Sequence, residues 1–264
     1  MRRRSTLLHL LPLALIGIML NSCVPTALPQ RAASGAPFID PLPIPALPNR
    51  PRADEREPAE VALLFDDAAR AAALCRTGSG QLAARGSLFG HNRFDEPSAA
   101  QLTAAPVTLG GGSCQQVHSA MSAPLAEMIW AATVENPAVG NAIIAISCHR
   151  SIARQAALFC DAPRVAQRGY AGQARWIAPP GYSEHATGLS IDFGSRTQGQ
   201  CDLRPCFATT SVGRWLAANA ARFGFEMSFP AGNPQGVAYE PWHYRYVGSG
   251  AASALFSADG PLTP

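Results

Sequence analysis

The stretch at residues 181–193, Gly-Tyr-Ser-Glu-His-Ala-Thr-Gly-Leu-Ser-Ile-Asp-Phe, constrains the fold more than any other part of the chain. It follows a Pro-Pro pair and passes into an alternating run, with Leu189, Ile191 and Phe193 on one face and Ser190 and Asp192 on the other. That alternation predicts a half-buried strand. Asp192 then projects beside whatever His185 reaches from the preceding turn, and Gly188 lets the backbone turn tightly between the two. A histidine and an aspartate on neighbouring backbone can supply one nitrogen and one oxygen to a metal. Catalytic zinc takes three protein ligands and keeps a position open. The third ligand has a candidate downstream in Glu240-Pro-Trp-His243-Tyr-Arg-Tyr-Val, where a carboxylate stands three residues before the histidine. Glu184 is the rival carboxylate. On a turn it is expected to point away from His185, which ranks it behind Glu240.

The remaining periodicity surrounds this segment with helices. Val61, Leu64, Phe65, Ala68, Ala72 and Cys75 recur at helical spacing, as do Met121, Leu125, Met128, Ile129 and Ala132. Pro124 bends the second of these helices or lies near its start. The apolar run before Ser147 predicts a buried strand. Ser151 is a ready N-cap for a helix over residues 152–159. Residues 169–180 read as loop, and residues 209–223 as a helix with Val212, Trp215, Leu216 and Phe223 inward, closed by Gly224. Residues 239–247 read as the last strand. A few short, non-contiguous strands among helices make the class α+β: a small antiparallel sheet carrying the zinc site, flanked by helices and stapled by disulfides.

Composition limits the function. A chain of 264 residues suits one domain with appendages. A net charge of +3 without a basic stripe interleaved with aromatics argues against a nucleic-acid partner. The absence of any lysine excludes a Walker lysine, a Schiff-base lysine and a Ser-x-x-Lys nucleophile. Residues 1–23 have a basic start, an apolar stretch and small residues before Cys23, the pattern of an export signal. Leu20-Asn-Ser-Cys23 resembles a bacterial lipobox, making Cys23 the lipidation candidate; Asn21 departs from that pattern and leaves ordinary signal cleavage open. Residues 24–58 are rich in proline and read as a tether. Residues 59–250 form the expected catalytic domain and residues 251–264 a C-terminal tail. The other six of the seven cysteines, an even number in an exported chain, read as disulfides. Six cysteines allow 15 connectivities. Cys201 with Cys206 is the favoured pair, and sequence neighbours would add Cys148 with Cys160 and Cys75 with Cys114.

Three stretches together resemble the VanY-type D-alanyl-D-alanine carboxypeptidases, zinc peptidases of the group that includes lysostaphin and the hedgehog signalling domain. They are the segment from Pro180 to Asp192, the segment from Tyr239 to Gly248, and Ser147-Cys-His-Arg-Ser-Ile-Ala-Arg-Gln155. The helix over residues 213–225 adds to the likeness, which covers residues 88–248. The resemblance implies that His185, Asp192 and His243 hold Zn2+ and that Glu240 is the general base. It further implies that Arg150 polarises the scissile carbonyl or holds the substrate carboxylate, and that Ser183 contacts substrate. Gln155 belongs to the Arg-Ser-x-x-x-Gln match, and Trp242 is a candidate wall of the substrate site. His149 stands where the family has an aromatic and is expected to pack beside the site. His91 and His118 read as surface or capping residues.

The expected function is removal of the terminal D-alanine from peptidoglycan stem peptides by an exported monomer of the bacterial periplasm or envelope, with a lipid anchor where Cys23 is modified. An L,D-carboxypeptidase or endopeptidase on the same scaffold is the enzymatic alternative, since the metal motif does not encode stereochemistry. A silent peptidoglycan-binding module is the alternative of another class; a binder has no use for Glu240 and Arg150.

Overall fold

The structure, a computed structural model, describes the backbone of residues 58–77, 86–110 and 114–257, and the side chains within these spans from residue 66 onward. The expected export signal, Cys23, nearly all of the proline-rich tether and the last seven residues of the tail lie outside the described residues. In chain order the elements are α1 (Pro58–Thr77), β1 (Leu102–Ala104), β2 (Gln116–His118), α2 (Ser119–Glu135), α3 (Pro137–Gly140), β3 (Ile143–Ser147), α4 (Ile152–Phe159) and α5 (Ala162–Ala174). They continue with β4 (Ser190–Ser195), α6 (Ser211–Asn219), β5 (Phe225–Met227), β6 (His243–Tyr246) and α7 (Gly250–Phe256). The fold is α+β: β3, β4, β6 and β5 lie side by side in that order, every pair antiparallel, and β1 pairs with β2 apart from them.

Register does the positioning. Asp192 of β4 stands opposite His243 of β6 on one side and Ser147 of β3 on the other, where the pairing slips between Ala145 and Ser147. Such a slip bends a strand and re-aims its end, and the chain leaves β3 towards Arg150. Beneath the sheet, Met121, Leu125 and Met128 of α2 pack with Ile143, Ile191, Phe193 and Tyr244 and with Val212 and Leu216 of α6. This apolar face is what a β-strand with period two and a helix with period 3.6 bury against each other.

Four local expectations change. β4 is buried on both faces, not half-buried: Ser190 is 0 % and Asp192 7 % exposed. Its polar face is roofed by the turn carrying His185 and the loop carrying Glu240, which share a cavity with Asp192. Residues 169–174, expected as loop, continue α5 across a break at Gly169, where φ is 66°; a glycine in that conformation reads as an end when the chain turns and goes on. The helix expected to residue 223 is α6 followed by a 3-10 turn over Ala220–Phe223, with Gly224 at φ 77° closing it. The last strand begins only at His243, so Glu240 stands on the preceding turn, its N–H donating to the Phe229 carbonyl at 3.0 Å.

Three disulfides join the described residues: Cys75–Cys160, Cys114–Cys148 and Cys201–Cys206. The neighbour pairings Cys148–Cys160 and Cys75–Cys114 are therefore wrong. α4, eight residues long, lies between Cys148 and Cys160; at 1.5 Å per residue it carries them about 12 Å apart, beyond the reach of a disulfide. Cys160 instead meets Cys75 of α1 around a satellite core of Ala71, Phe159 and Ala174. Cys148 leaves β3 beside the strand that Cys114 leads into, since His149 N–H donates to the Gln116 carbonyl at 3.0 Å.

Candidate metal centre

The turn that presents His185 is a 3-10 segment, Glu184–Thr187, ended by Gly188 at φ 69°. A Cβ on Gly188 would lie 3.0 Å from the His118 backbone nitrogen, and His118 N–H donates to the Gly188 carbonyl at 2.8 Å. Glycine is thus required twice over, for its φ and for close approach to β2. Three residues into the strand, β4 turns Asp192 back towards His185.

His185, Asp192 and His243 are buried and offer three ligand atoms that all lie within 4.8 Å of one another. The Asp192 carboxylate is 3.0 Å from His185 Nε2 and 2.8 Å from His243 Nδ1. The far side of each ring is fixed by the protein. His185 Nδ1 lies 2.8 Å from the Cys148 carbonyl, which can only accept, so Nδ1 carries the proton and Nε2 presents its lone pair inward. His243 Nε2 donates to Glu184 Oε2 at 2.9 Å, aiming Nδ1 inward. Two imidazole nitrogens and a carboxylate oxygen, each ring oriented by a back-side partner, suit a divalent ion such as Zn2+.

Without a cation the ligand groups pair with one another, and a metal would displace a proton from His243. Burial lowers His185 to about 4, outweighing the nearby Asp192, and keeps that ring neutral. Burial pulls His243 down too, but hydrogen bonds to Asp192 and Glu184 prevail and hold it up at about 10. Burial works against the Asp192 carboxylate, yet the two histidines keep it well below the usual carboxylate range. Glu240 has no such bonds to the triad, and burial raises it to about 8 against the pull of His243. A cation among the three ligands favours its ionised form.

The surrounding cavity has a volume of about 210 Å³. Arg150, Ser183, Glu240 and Trp242 line it together with the three ligands. Arg150 N–H donates to the His185 carbonyl at 3.1 Å. Its side chain is clamped by Gln155 Oε1 on Nε at 2.6 Å and Ser147 Oγ on Nη1 at 3.2 Å. Gln155 itself does not line the cavity: it is fully buried, and it touches two residues that do, Arg150 and Ala178, donating its amide to the Ala178 carbonyl at 2.6 Å. Trp242 belongs both to the cavity wall and to the main core.

Two residues stand differently from expectation. Glu184 does not turn out of the site; it faces the other histidine. Besides His243 it accepts from Ser228 Oγ at 2.6 Å and Arg245 Nη1 at 2.8 Å, and these partners outweigh the cost of burial to hold its carboxyl at about 2. His91 is a buried cavity residue, its Nε2–H donating to the Ala174 carbonyl at 2.8 Å. His118 is a capping residue as expected, its Nδ1 accepting from Ala120 N–H at 3.1 Å. No local motif marks His91 or Ser228, because each reaches the site through tertiary packing.

A small antiparallel sheet bearing a buried His/Asp/His triad, with an ionisable carboxylate and an arginine on the same cavity, defines the metallopeptidase class. The chain belongs to the VanY family of D-alanyl-D-alanine carboxypeptidases, whose sequence model matches residues 114–249. Among curated proteins, YodJ of Bacillus subtilis, a carboxypeptidase by provisional name, is 37% identical over 123 residues, 46% of this chain and 44% of its own length. A D-alanyl-D-alanine carboxypeptidase of Enterococcus faecalis is 41% identical over 86 residues, 31% of this chain and 28% of that protein. The chain thus spans less than half the length of these relatives. Among solved structures, the LdcB LD-carboxypeptidase is 33% identical with a TM-score of 0.51, covering 61% of this chain and 73% of that one.

Proposed function

We propose that this chain is a zinc carboxypeptidase that removes the terminal D-alanine from peptidoglycan stem peptides ending in D-Ala-D-Ala. The observation that carries the reading is the meeting of the triad, Glu240 and Arg150 on one cavity, inside the segment matched by the family. The triad would hold zinc, which would supply Lewis acidity to the scissile carbonyl and to an attacking water. Glu240 takes the proton of that water and returns it to the amine leaving as D-alanine when the amide C–N bond breaks. Arg150, oriented by Gln155 and Ser147, pairs with the substrate carboxylate or the developing oxyanion. Ser183 contacts the peptide from the turn that presents His185, and Trp242 forms a wall.

A second reading is an L,D-carboxypeptidase, favoured by the likeness to LdcB. The two differ in which bond enters the cavity, and the same ligands, base and arginine serve both. Purified protein with zinc, given a pentapeptide ending in D-Ala-D-Ala and a tetrapeptide ending in a single D-Ala, decides by product mass. Loss of one alanine from the pentapeptide supports the D,D reading, and loss from the tetrapeptide alone supports the L,D one. Failure to cleave either refutes both.

The family's cell-wall chemistry supports a place in the bacterial envelope. In this reading residues 1–23 direct export, residues 24–58 tether the catalytic domain of residues 59–250, and Cys23 carries the lipid if the anchor forms. Labelling with a radioactive fatty acid, lost in Cys23→Ser, tests the anchor separately from catalysis.

A further inference from the structure

Helix α1 lies outside residues 114–249, the segment that the family model matches, yet it reaches the turn that presents His185. Leu74 of α1 forms a buried cluster with Leu88 and Tyr182, the residue directly before Ser183. Arg70 stands one helical turn earlier on the same face. Its Nη2 donates to the Tyr182 hydroxyl at 3.0 Å, and its Nη1 to Asp67 Oδ1 at 3.0 Å and to the Ser87 carbonyl at 3.1 Å. The other Asp67 oxygen accepts from Phe89 N–H at 2.9 Å. Phe89 has φ 49°, a left-handed conformation that a phenylalanine keeps only where its surroundings impose it. Beyond it, a Cβ on Gly90 would stand 2.2 Å from the Gln235 carbonyl oxygen, so the same turn also packs against the loop leading to Glu240. Cys75–Cys160 ties α1 to the end of α4.

Apolar side chains at positions 67, 70 and 182 would close the same junction, since a partly buried ion pair adds little stability over hydrophobic residues of similar volume. What the guanidinium adds is direction: a planar fork with three partners fixes one place for the Tyr182 ring. The backbone enters the site through Gly181, at φ 84°, and Tyr182 is the first side chain after that glycine to anchor it. Ser183 follows, buried and lining the cavity, before the 3-10 turn begins at Glu184. His185 is held separately, by the Cys148 carbonyl and Asp192. We propose that Arg70 is a positioning residue that acts through the Tyr182 hydroxyl to set Ser183 against the peptide, without acting on the metal ligands. The role rests on the carboxypeptidase reading, and it extends the working unit to a helix outside the segment matched by the family.

The test uses the zinc-loaded full chain and whichever of the two peptides, ending in D-Ala-D-Ala or in a single D-Ala, the wild type cleaves. Arg70→Met keeps an apolar stem beside Leu74 and removes the guanidinium; Tyr182→Phe keeps the buried ring and removes the hydroxyl. Each should lower kcat/KM on the order of 10-fold, as a small displacement of a substrate contact does, and the loss should appear in KM, since Ser183 binds the peptide and moves no proton. Zinc affinity, measured by competition with a chelator, should stay within about 2-fold of the wild type, the scatter expected of independent sites. In a Ser183→Ala background, Arg70→Met should cost no more than about 2-fold further. Gly213→Ala, in α6 and off the cavity, controls for stability: it should unfold more easily with KM unchanged. A wild-type KM in the folded variants, an equal loss with and without the Ser183 hydroxyl, or a fall in zinc affinity overturns the role and leaves the carboxypeptidase reading standing. Should Arg70→Met not fold, Tyr182→Phe decides by the same measurements. A wild type that cleaves neither peptide overturns the reading itself, and the role of Arg70 with it.

Discussion

Replacing Glu184 by glutamine separates the two carboxylates beside the metal ligands. Glu184 accepts three hydrogen bonds, from His243 Nε2 at 2.9 Å, Ser228 Oγ at 2.6 Å and Arg245 Nη1 at 2.8 Å. An amide has one oxygen to offer, and its NH2 would face at least one of these donors. It also removes the charge that steadies His243 from behind. Losing an outer partner of this kind weakens metal binding about 10- to 100-fold, or about 1.4–2.7 kcal/mol at 1.36 kcal/mol per decade. The metal-free protein should lose about 2 kcal/mol of stability, below the ~3–5 kcal/mol typical of a broken buried pair. The discount arises because Arg245 is 19% exposed and keeps Glu226 at 2.7 Å. Competition with a chelator of known zinc affinity measures the first effect, and urea unfolding without metal the second. At saturating zinc, kcat should return to within a few-fold of the wild type. Ser228→Ala, which keeps the charge, should weaken zinc less than 10-fold. Unchanged zinc affinity in a folded Glu184→Gln protein would refute the supporting role. A kcat that stays down by orders of magnitude at saturating zinc would make Glu184 the base in place of Glu240.

Glu240→Gln should keep zinc affinity while kcat falls about 100- to 10,000-fold, the range for a lost general base; near-normal turnover in stopped-flow assays would remove Glu240 from the chemistry. The disulfides should rank by loop length. Cys75–Cys160, separated by 85 residues, contributes about 4.6 kcal/mol and Cys201–Cys206, separated by 5, about 2 kcal/mol on the chain-entropy account. Paired serine variants compared by urea unfolding check the order, and equal losses would contradict it. Gly213→Ala should cost about 3 kcal/mol, the upper end for overpacking, because its Cβ would stand 2.0 Å from the Phe207 carbonyl oxygen. A variant as stable as the parent would show that the 3-10 turn Pro205–Thr209, just before α6, yields.

The parts of the site legible in the sequence are those fixed by short-range geometry. His185 and Asp192 are separated by one turn and half a strand, with Gly188 supplying the left-handed residue between them, so local rules suffice. Glu240 and His243 are likewise joined by a single turn. The direction of Glu184 is not legible because it is set by Arg245 of β6 and by Ser228 just after β5, both distant in the chain. His91 carried no signal, since its burial depends on Ala174 and Phe229. The disulfide partners escaped for the same reason: separation along the chain says nothing about how α1 meets the end of α4. Residues 169–174 read as loop because glycine is a poor helix former, and only packing shows that the helix resumes after Gly169.

The Cys114–Cys148 bond bears on the metal site from outside it. The carbonyl of Cys148 is the acceptor that fixes the His185 tautomer, and two residues on stands Arg150, whose N–H returns to the His185 carbonyl. One sulfur bridge thus clamps the backbone that orients a ligand and the backbone that presents the arginine. While the thiols are reduced, that clamp is missing and the ligand set has one less restraint on its geometry. The ligand set is thereby tied to the redox state of a bond that touches none of its metal-binding atoms.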